Sequence, residues 1–377
     1  MADLNVNSIG DASGGNTATI NTFTPTVSNM AGRNRIINGD MRIDQRNAGA
    51  ASANTIDGYF LDRWLVQQWT TGKLIAQQNA GSVTPPTGFT NYLGVTSQSA
   101  YAVTGSDKFT IQQMIEGFNA ADLGWGTANA QTVTLGFWVR SSLTGTFGGA
   151  FANSASTRSY PYSYTISSAN TWEYKTVVVA GDTSGTWIGA TNGVGIRVYF
   201  GLGVVADSSG TAGAWASANY RSATGATSVV GTSGATFYIT GVQLEAGSVA
   251  TPFEHRQYGQ ELALCQRYFH VEGGNSTYEI AGSMGNAYLS NYCFAVIHAK
   301  ASMRAVPTLT KIGTWVWNDW SNTPQAAGAL TLSPNESGKN TFFIYSNGTT
   351  AGLTALRSYY LAASNDITAR LQFSAEL

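Results

Sequence analysis

Residues 237–269, FYITGVQLEAGSVATPFEHRQYGQELALCQRYF, contain the change of period that decides the fold. Phe237, Ile239, Val242 and Leu244 are apolar with small or polar residues between them, so the first part is a strand. The alternation slips by one residue at Gly241, which predicts a β-bulge there. Gly247 and Pro252 end the strand. From Glu254 the period becomes helical, with Tyr258, Leu262, Cys265 and Phe269 spaced four, three and four apart, and the spacing predicts a short helix over 254–269.

The composition extends this reading to the rest of the chain. Of 377 residues 43 are Gly, and only 11% are charged. Amphipathic helices need Glu, Lys and Arg on their wet face, whereas sheets and turns do not, so the expected class is all-β. A formal net charge of -1 gives no long-range attraction to nucleic acid or to an anionic membrane, and neither is an expected partner. Surface recognition must then be short-range. Cys265 and Cys293 have no metal-ligand spacing and read as reduced, partly buried core residues. MADLNVNSIG has no basic or apolar signal-peptide pattern, and no apolar run approaches the length of a membrane span, so no membrane insertion is expected.

Residues 1–32 are rich in Asn, Thr, Ser and Gly, with apolar residues too isolated to build a core. They read either as a loose terminus or as an extended arm ordered by a partner. From Arg33 the texture changes. Asn38-Gly39 is a turn signal, after which Met41 and Ile43 alternate with Arg42 and Asp44. In GYFLDRWLVQQW, Phe60, Trp64 and Val66 are strand-like, and Asp62 and Arg63 read as an ion pair at the sheet margin.

QTVTLGFWVR is the clearest strand, with Val133, Leu135, Phe137 and Val139 on the core face. TWEYKTVVVA and GVGIRVYFGLGV repeat the pattern, and Val194, Ile196, Val198 and Phe200 point inward. SSLTGTFGGAFANSAS and VVADSSGTAGAWASAN read as long exposed loops. Short strands separated by such loops point to a β-sandwich, with a jelly roll as the expected form. The domain expectation is an arm at 1–32, a jelly-roll sandwich at 33–253, a linking helix at 254–269 and a second, smaller antiparallel β-domain at 270–377. In that last segment Tyr292, Phe294, Val296 and His298 form an apolar alternation, and DITARLQFSAEL alternates through Ile367, Ala369, Leu371 and Phe373.

NRIINGDMRIDQR (Asn34 to Arg46) and YFLDRW (Tyr59 to Trp64), paired with the 237–269 stretch, resemble a recurrent module of bacteriophage tail-fibre and related virion attachment proteins. The leader Ile9-Gly10-Asp11-Ala12-Ser13, followed by GGNTATIN, is similar to the leaders of such proteins, so the resemblance covers about residues 1–270. It implies a jelly roll similar to family 4 carbohydrate-binding modules, used for attachment, with the outward-facing part after residue 270. It also implies a homotrimer, docking to other virion proteins through residues 1–32, and localisation in the virion after assembly in a host cytoplasm. In those modules the start of the first strand and an acidic residue on the last strand contribute to a structural calcium. Asn38, Gly39, Asp40 and Glu245 match those positions loosely, but Met41 stands where the module often has Phe and Gly241 where it has an acid before the last strand's Val. A turn with a salt bridge is therefore the favoured reading, and a calcium held by Asp40 and Glu245 the other.

Neutral glycans are held by aromatic faces against their C–H sides and by side chains that hydrogen-bond their hydroxyls. Trp315, Trp317 and Trp320, with Asn318 and Asp319 beside them, are the candidate site for host surface polysaccharide. The competing reading places these indoles in a core or subunit interface. Trp125, Trp187 and Trp215 form a second group. His255, His270 and His298 have no metal spacing, and no nucleophile or phosphate-loop motif is present. The expected function is therefore a non-catalytic phage adhesin or tail fibre. Its alternatives are a capsid decoration or tail-assembly protein without a ligand, a free sugar-binding module, and a depolymerase drawing a carboxylate pair from Asp57, Asp62, Asp107, Glu116, Asp122 and Glu173.

Overall fold

The computed structural model describes residues 32–52, 57–320, 324–348 and 352–377. The arm expected over residues 1–32 lies, apart from Gly32, outside the described residues. The chain divides into two compact units, Met1–Arg256 and Gln257–Leu377.

In chain order, the first unit has β1 (Asp57–Leu61), β2 (Trp64–Gln68), β3 (Leu74–Gln78), β4 (Leu93–Ser97), β5 (Lys108–Glu116) and β6 (Val133–Ser141). It continues with β7 (Gly145–Ala152), β8 (Ser159–Ile166), β9 (Glu173–Val179), β10 (Val194–Val204), β11 (Ser209–Gly210), β12 (Ser222–Ala223) and β13 (Thr236–Ala246). A six-stranded sheet in the order β1-β2-β5-β10-β7-β8 and a five-stranded sheet in the order β3-β4-β13-β6-β9 enclose one core. Every pairing in these two sheets is antiparallel, and the chain passes repeatedly from one sheet to the other, as a jelly-roll sandwich requires. Val133, Leu135, Phe137 and Val139 point inward from β6, and Ile196, Val198 and Phe200 point inward from β10. The bulge falls where the alternation slips, because Gly241 has φ of +59° and the β13–β6 register shifts between Thr240 and Gln243.

Two expectations for this unit are corrected. SSLTGTFGGAFANSAS is not a loop, since its middle is β7, paired along its length with β8 and along half of it with β10. Its glycines are there for close approach: a Cβ on Gly149 would lie 2.1 Å from the Tyr199 carbonyl oxygen and 2.4 Å from the Tyr162 ring. Asp62 and Arg63 are fully buried rather than marginal. The Asp62 carboxylate accepts from the Gln45 backbone at 2.8 Å and side chain at 2.6 Å, and Arg63, with φ of +71°, donates to the Met114 carbonyl.

Residues 34–44 form no regular strand, yet they are bound closely to β13. The Arg35 N–H donates to the Leu244 carbonyl at 2.8 Å, and the Val242 N–H donates to the Gly39 carbonyl at 2.9 Å. Asn34 Oδ1 accepts from the Ile36 and Leu244 N–H groups. A Cβ on Gly39 would sit 2.2 Å from the Val242 oxygen, so no other residue fits without displacing β13. The two motifs that carry the resemblance are thus one physical clasp.

The second unit begins with α1 (Tyr258–Gln266), β14 (Phe269–Gly273), β15 (Ile280–Leu289), β16 (Tyr292–His298), β17 (Thr308–Ile312) and β18 (Trp315–Asn318). It ends with β19 (Gln325–Ala326), β20 (Thr331–Leu332), β21 (Thr341–Asn347), β22 (Ser358–Ala363) and β23 (Arg370–Ser374). A three-stranded sheet, β14-β23-β17, and a seven-stranded one, β19-β18-β22-β15-β16-β21-β20, share a core that includes Trp315, Trp317, Phe342, Leu361, Leu371 and Phe373. The helix starts four residues later than the spacing predicts. Glu254 is held extended against the sandwich, accepting from the Gly32 and Asn34 N–H groups and donating its own N–H to Gln243 Oε1. Cys265 and Cys293 are both buried, and burial pushes the Cys293 thiol up to about 12. Among the described residues no helix is long and apolar enough to cross a membrane.

On β14, His270 is buried between Phe342 and Phe373, and its Nε2 lies 2.5 Å from Glu272. Lys300 Nζ approaches the same carboxylate at 3.2 Å. Burial raises the Glu272 carboxyl, but the His270 hydrogen bond and the Lys300 charge outweigh it, and the net displacement is below the ordinary 4.5. A depressed carboxyl stabilises the fold above its unfolded value, and that contribution is lost as pH falls through the folded value. The second unit is therefore expected to lose thermal stability on acidification below about pH 4.5, with Glu272→Gln flattening this dependence. Melting curves of both proteins between neutral and acidic pH check it; parallel curves would show that Glu272 does not supply the effect.

Candidate functional site

Strand β18 reads Trp-Val-Trp-Asn, and its period of two sends Trp315 and Trp317 to one face and Val316 and Asn318 to the other. The face bearing the two indoles is the inner one. Trp315 is 1% exposed and donates its indole N–H to the Ile312 carbonyl at 3.0 Å. Trp317 is 0% exposed and donates to Ser346 Oγ at 2.8 Å. With both faces packed and both donors used, neither ring can meet a sugar. The competing reading of these two residues, as core, describes their placement.

Trp320 is different. Its φ of +69° lies in the left-handed region, and its N–H donates to Asn318 Oδ1 at 3.0 Å, so the chain turns just beyond the strand and carries the indole outward. It is 76% exposed. One face leans on the Tyr360 ring, with centroids 4.7 Å apart at 35°. β22 pairs with β18 so that Tyr360 lies opposite Asn318, on the outer face. Together with Tyr278 and Ile280 these residues line a pocket of about 300 Å3 whose floor is Val316 and Ala362, a size at the lower end for small-molecule sites. Burial, with the Asp319 carboxylate nearby, raises the Tyr360 hydroxyl, which keeps it a neutral donor. Asp319 itself is turned away into a 2.8 Å ion pair with Arg357. Of the five predicted site residues, Asn318 and Trp320 reach the pocket, and Tyr278 and Tyr360 are added to them.

Trp125, Trp187 and Trp215 converge from three loops of the sandwich into a mutual edge-to-face cluster, with centroids 4.8, 5.3 and 5.5 Å apart. Their indole donors are all engaged, Trp125 with the Gln131 carbonyl, Trp215 with the Ala180 carbonyl, and Trp187 with Asp182 and the Ser184 carbonyl. Asp182 is the hub. Its carboxylate takes a two-pronged contact from Arg158 Nε at 2.8 Å and Nη2 at 2.6 Å, and its carbonyl accepts from the Gly126 N–H. The three rings pack chiefly on one another, and Trp125 and Trp187 also line a pocket of about 220 Å3 with Ala120, Gly124 and Ile188.

Asp40 and Glu245 do not make a fitting calcium shell. Asp40 pairs with Arg42 at 2.8 Å, while Glu245 accepts from Gln243, from the Thr251 N–H and from Thr251 Oγ1, with the Arg33 guanidinium 4.0 Å away. A hard cation needs six or more oxygens, and these two carboxylates already serve cationic, N–H or O–H donors. Among the described residues no cluster of three His, Cys, Asp or Glu is placed to hold a metal.

The carboxylates considered for catalysis are bound into local structure. Asp57 accepts from the Gln68 N–H, Asp107 from Tyr101 and the Thr104 N–H, Asp122 pairs with Arg35, and Glu173 pairs with Lys175. Asp62 caps Gln45, and Glu116 is buried at the end of β5.

No protein-family profile matches the chain, and no curated protein matches it. Among solved structures it is similar to the enzymatically active domain of tailspike protein 4 of bacteriophage CBA120, at 12% identity and a TM-score of 0.32 over 57% of this chain. The alignment spans 21% of the tailspike chain. It is also similar to a putative sugar-binding protein from Bacteroides thetaiotaomicron VPI-5482, at 11% identity and a TM-score of 0.34 over 57% of this chain and 100% of that one. A CBM4 structure matches at 12% identity and a TM-score of 0.27 over 56% of this chain and 98% of that one. Likenesses this distant carry no inference about ligand, activity or partner.

Proposed function

We propose that this chain is a non-catalytic attachment protein of a bacteriophage particle, a tail fibre or receptor-binding adhesin. It is anchored to other virion proteins through residues 1–32, assembles as a homotrimer, and engages host surface glycan through the Trp320 pocket. The observation that carries the ligand class is Trp320 itself: an indole three-quarters exposed, backed on one side by Tyr360 and open on the other, beside a neutral phenol and an amide. A sugar ring stacks on such a face by its C–H side while Asn318 and Tyr360 meet its hydroxyls. The chain's net charge of -1 is compatible with an uncharged ligand. The virion placement rests on the resemblance of the 34–64 and 237–269 motifs and the leader.

Trp320→Ala is expected to weaken binding to host-envelope polysaccharide by about tenfold or more with an unchanged melting temperature, since the ring is mostly in water. Glycan-array or calorimetric titration reads it. Undiminished binding removes this pocket, and efficient cleavage of the polysaccharide by the purified chain would overturn the non-catalytic assignment. Antibody labelling of particles that decorated the capsid shell rather than the tail would favour the decoration protein.

A further inference from the structure

The seven-stranded sheet of the second unit buries Trp315, Trp317, Phe342 and Leu361 on its inner face, yet its outer face also carries large aromatic side chains along β15, β16 and β21. On β16 the buried residues are Cys293, Ala295 and Ile297, while Tyr292, Phe294 and Val296 lie half-buried on the outer side. On β21 Phe343 and Tyr345 face outward, and on β15 Ala287 is buried but Tyr288 is 66% exposed. Phe294 stands opposite Tyr345 and Val296 opposite Phe343. Sheet twist then brings diagonal neighbours together, Tyr292 on Tyr345 at 5.4 Å and 19°, and Phe294 on Phe343 at 4.9 Å and 21°. Tyr288 closes the row, 6.2 Å from Tyr292. The strands β15, β16, β20 and β21 contain no Lys, Arg, Asp or Glu at all. Solvent-facing sheet surfaces are normally polar and often charged, so an uncharged aromatic face of this kind is a surface made to be covered.

We propose that this aromatic face is the contact between copies of this chain. It rests on the homo-oligomeric part of the function proposed above and is independent of the glycan part. Ring orientation argues against a sugar here. Rings stacked flank to flank spend their faces on each other and show edges to the outside, whereas Trp320 keeps a face open. Charge argues against nucleic acid or anionic lipid, because these strands carry no cation and the charged group near Tyr292 is the Glu336 carboxylate. Identical uncharged faces meet without like-charge repulsion, and aromatic enrichment with charge depletion is the composition of an interface core. Strands of ten, seven, two and seven residues give a flat footprint of roughly 410 Å2. That is within a factor of about two of the roughly 800 Å2 per partner in a stable interface, before side-chain relief is added.

Light scattering and native mass spectrometry of the full chain at micromolar concentration test this, comparing the wild type with the double variant Phe294→Glu, Tyr345→Glu. Wild type is expected to be oligomeric and the variant monomeric, with association weakened at least about 100-fold. A monomeric wild type overturns both this inference and the oligomeric reading. An oligomer that survives in a folded double variant overturns this inference alone. If the charged variant fails to fold, hydroxyl-radical footprinting of wild type decides. Tyr288, Tyr292 and Tyr345 should be protected in the oligomer and become reactive on dilution, and equal reactivity in both states overturns the assignment.

Discussion

Replacing Trp317 by alanine is expected to unfold the second unit's core rather than to weaken a binding site. The indole is fully enclosed, and its N–H is satisfied by Ser346. Its removal deletes one of the two indoles from a core shared by two sheets and leaves a cavity that the facing strands can close only in part. Truncations of this type cost about 3–5 kcal/mol, a large fraction of the 5–15 kcal/mol that holds a domain together. Hydrogen exchange should show the loss confined to amides beyond residue 257. Full protection there, with binding lost instead, would mean that Trp317 is a ligand-contacting residue after all. The contrast with Trp320→Ala, three residues away and neutral for stability, makes the pair diagnostic.

Asp182→Ala should strike the sandwich with similar force. The carboxylate is 2% exposed and Arg158 15% exposed, so the substitution leaves a half-buried guanidinium with only Ser217 and the Trp215 ring in place of its two-pronged partner and frees the loops that carry Trp187 and Gly126. Breaking such a pair from one side costs about 3–5 kcal/mol. The near-ultraviolet circular dichroism of the Trp125, Trp187 and Trp215 cluster should collapse with it. Asp182→Asn, which keeps the acceptor but not the charge, should recover only part of the loss. A melting temperature within a degree or two of wild type would show that the pair contributes little and that the three indoles hold themselves in place.

The contrast between Trp317 and Trp320 also shows what could be read from the chain and what could not. A period of two tells which residues share a face, and 315 and 317 do. It cannot say which face is wet, because both faces of β18 carry apolar side chains and the choice is made by β22 and the three-stranded sheet. The turn that sends Trp320 outward had a signal in Asn318-Asp319, a pair with strong turn chemistry. Tyr278 and Tyr360 had none, since they reach the pocket only through the order β18-β22-β15, a long-range pairing. Gly241 was legible because a bulge leaves a local slip in the alternation. β7 was not, because its glycines look like loop residues until the carbonyl of Tyr199 is known to press on them. The buried Asp62 and Arg63 look like surface residues for the same reason, as their partners lie on other segments. Asp40 and Glu245 were placed by analogy, and their arginine and threonine neighbours gave them other work.

The clasp between residues 34–39 and β13 has a mechanical consequence. Arg33 donates to the Pro252 carbonyl at 2.7 Å, Glu254 holds the Gly32 and Asn34 N–H groups at 2.8 Å, and Arg256 reaches the carbonyls of Asn34 and Ile36. The two ends of the described part of the first unit are therefore fastened directly to each other. Tension applied between residue 32 and residue 256 is expected to load this short bundle of hydrogen bonds before the sheets, so the clasp should have to part before the sandwich opens.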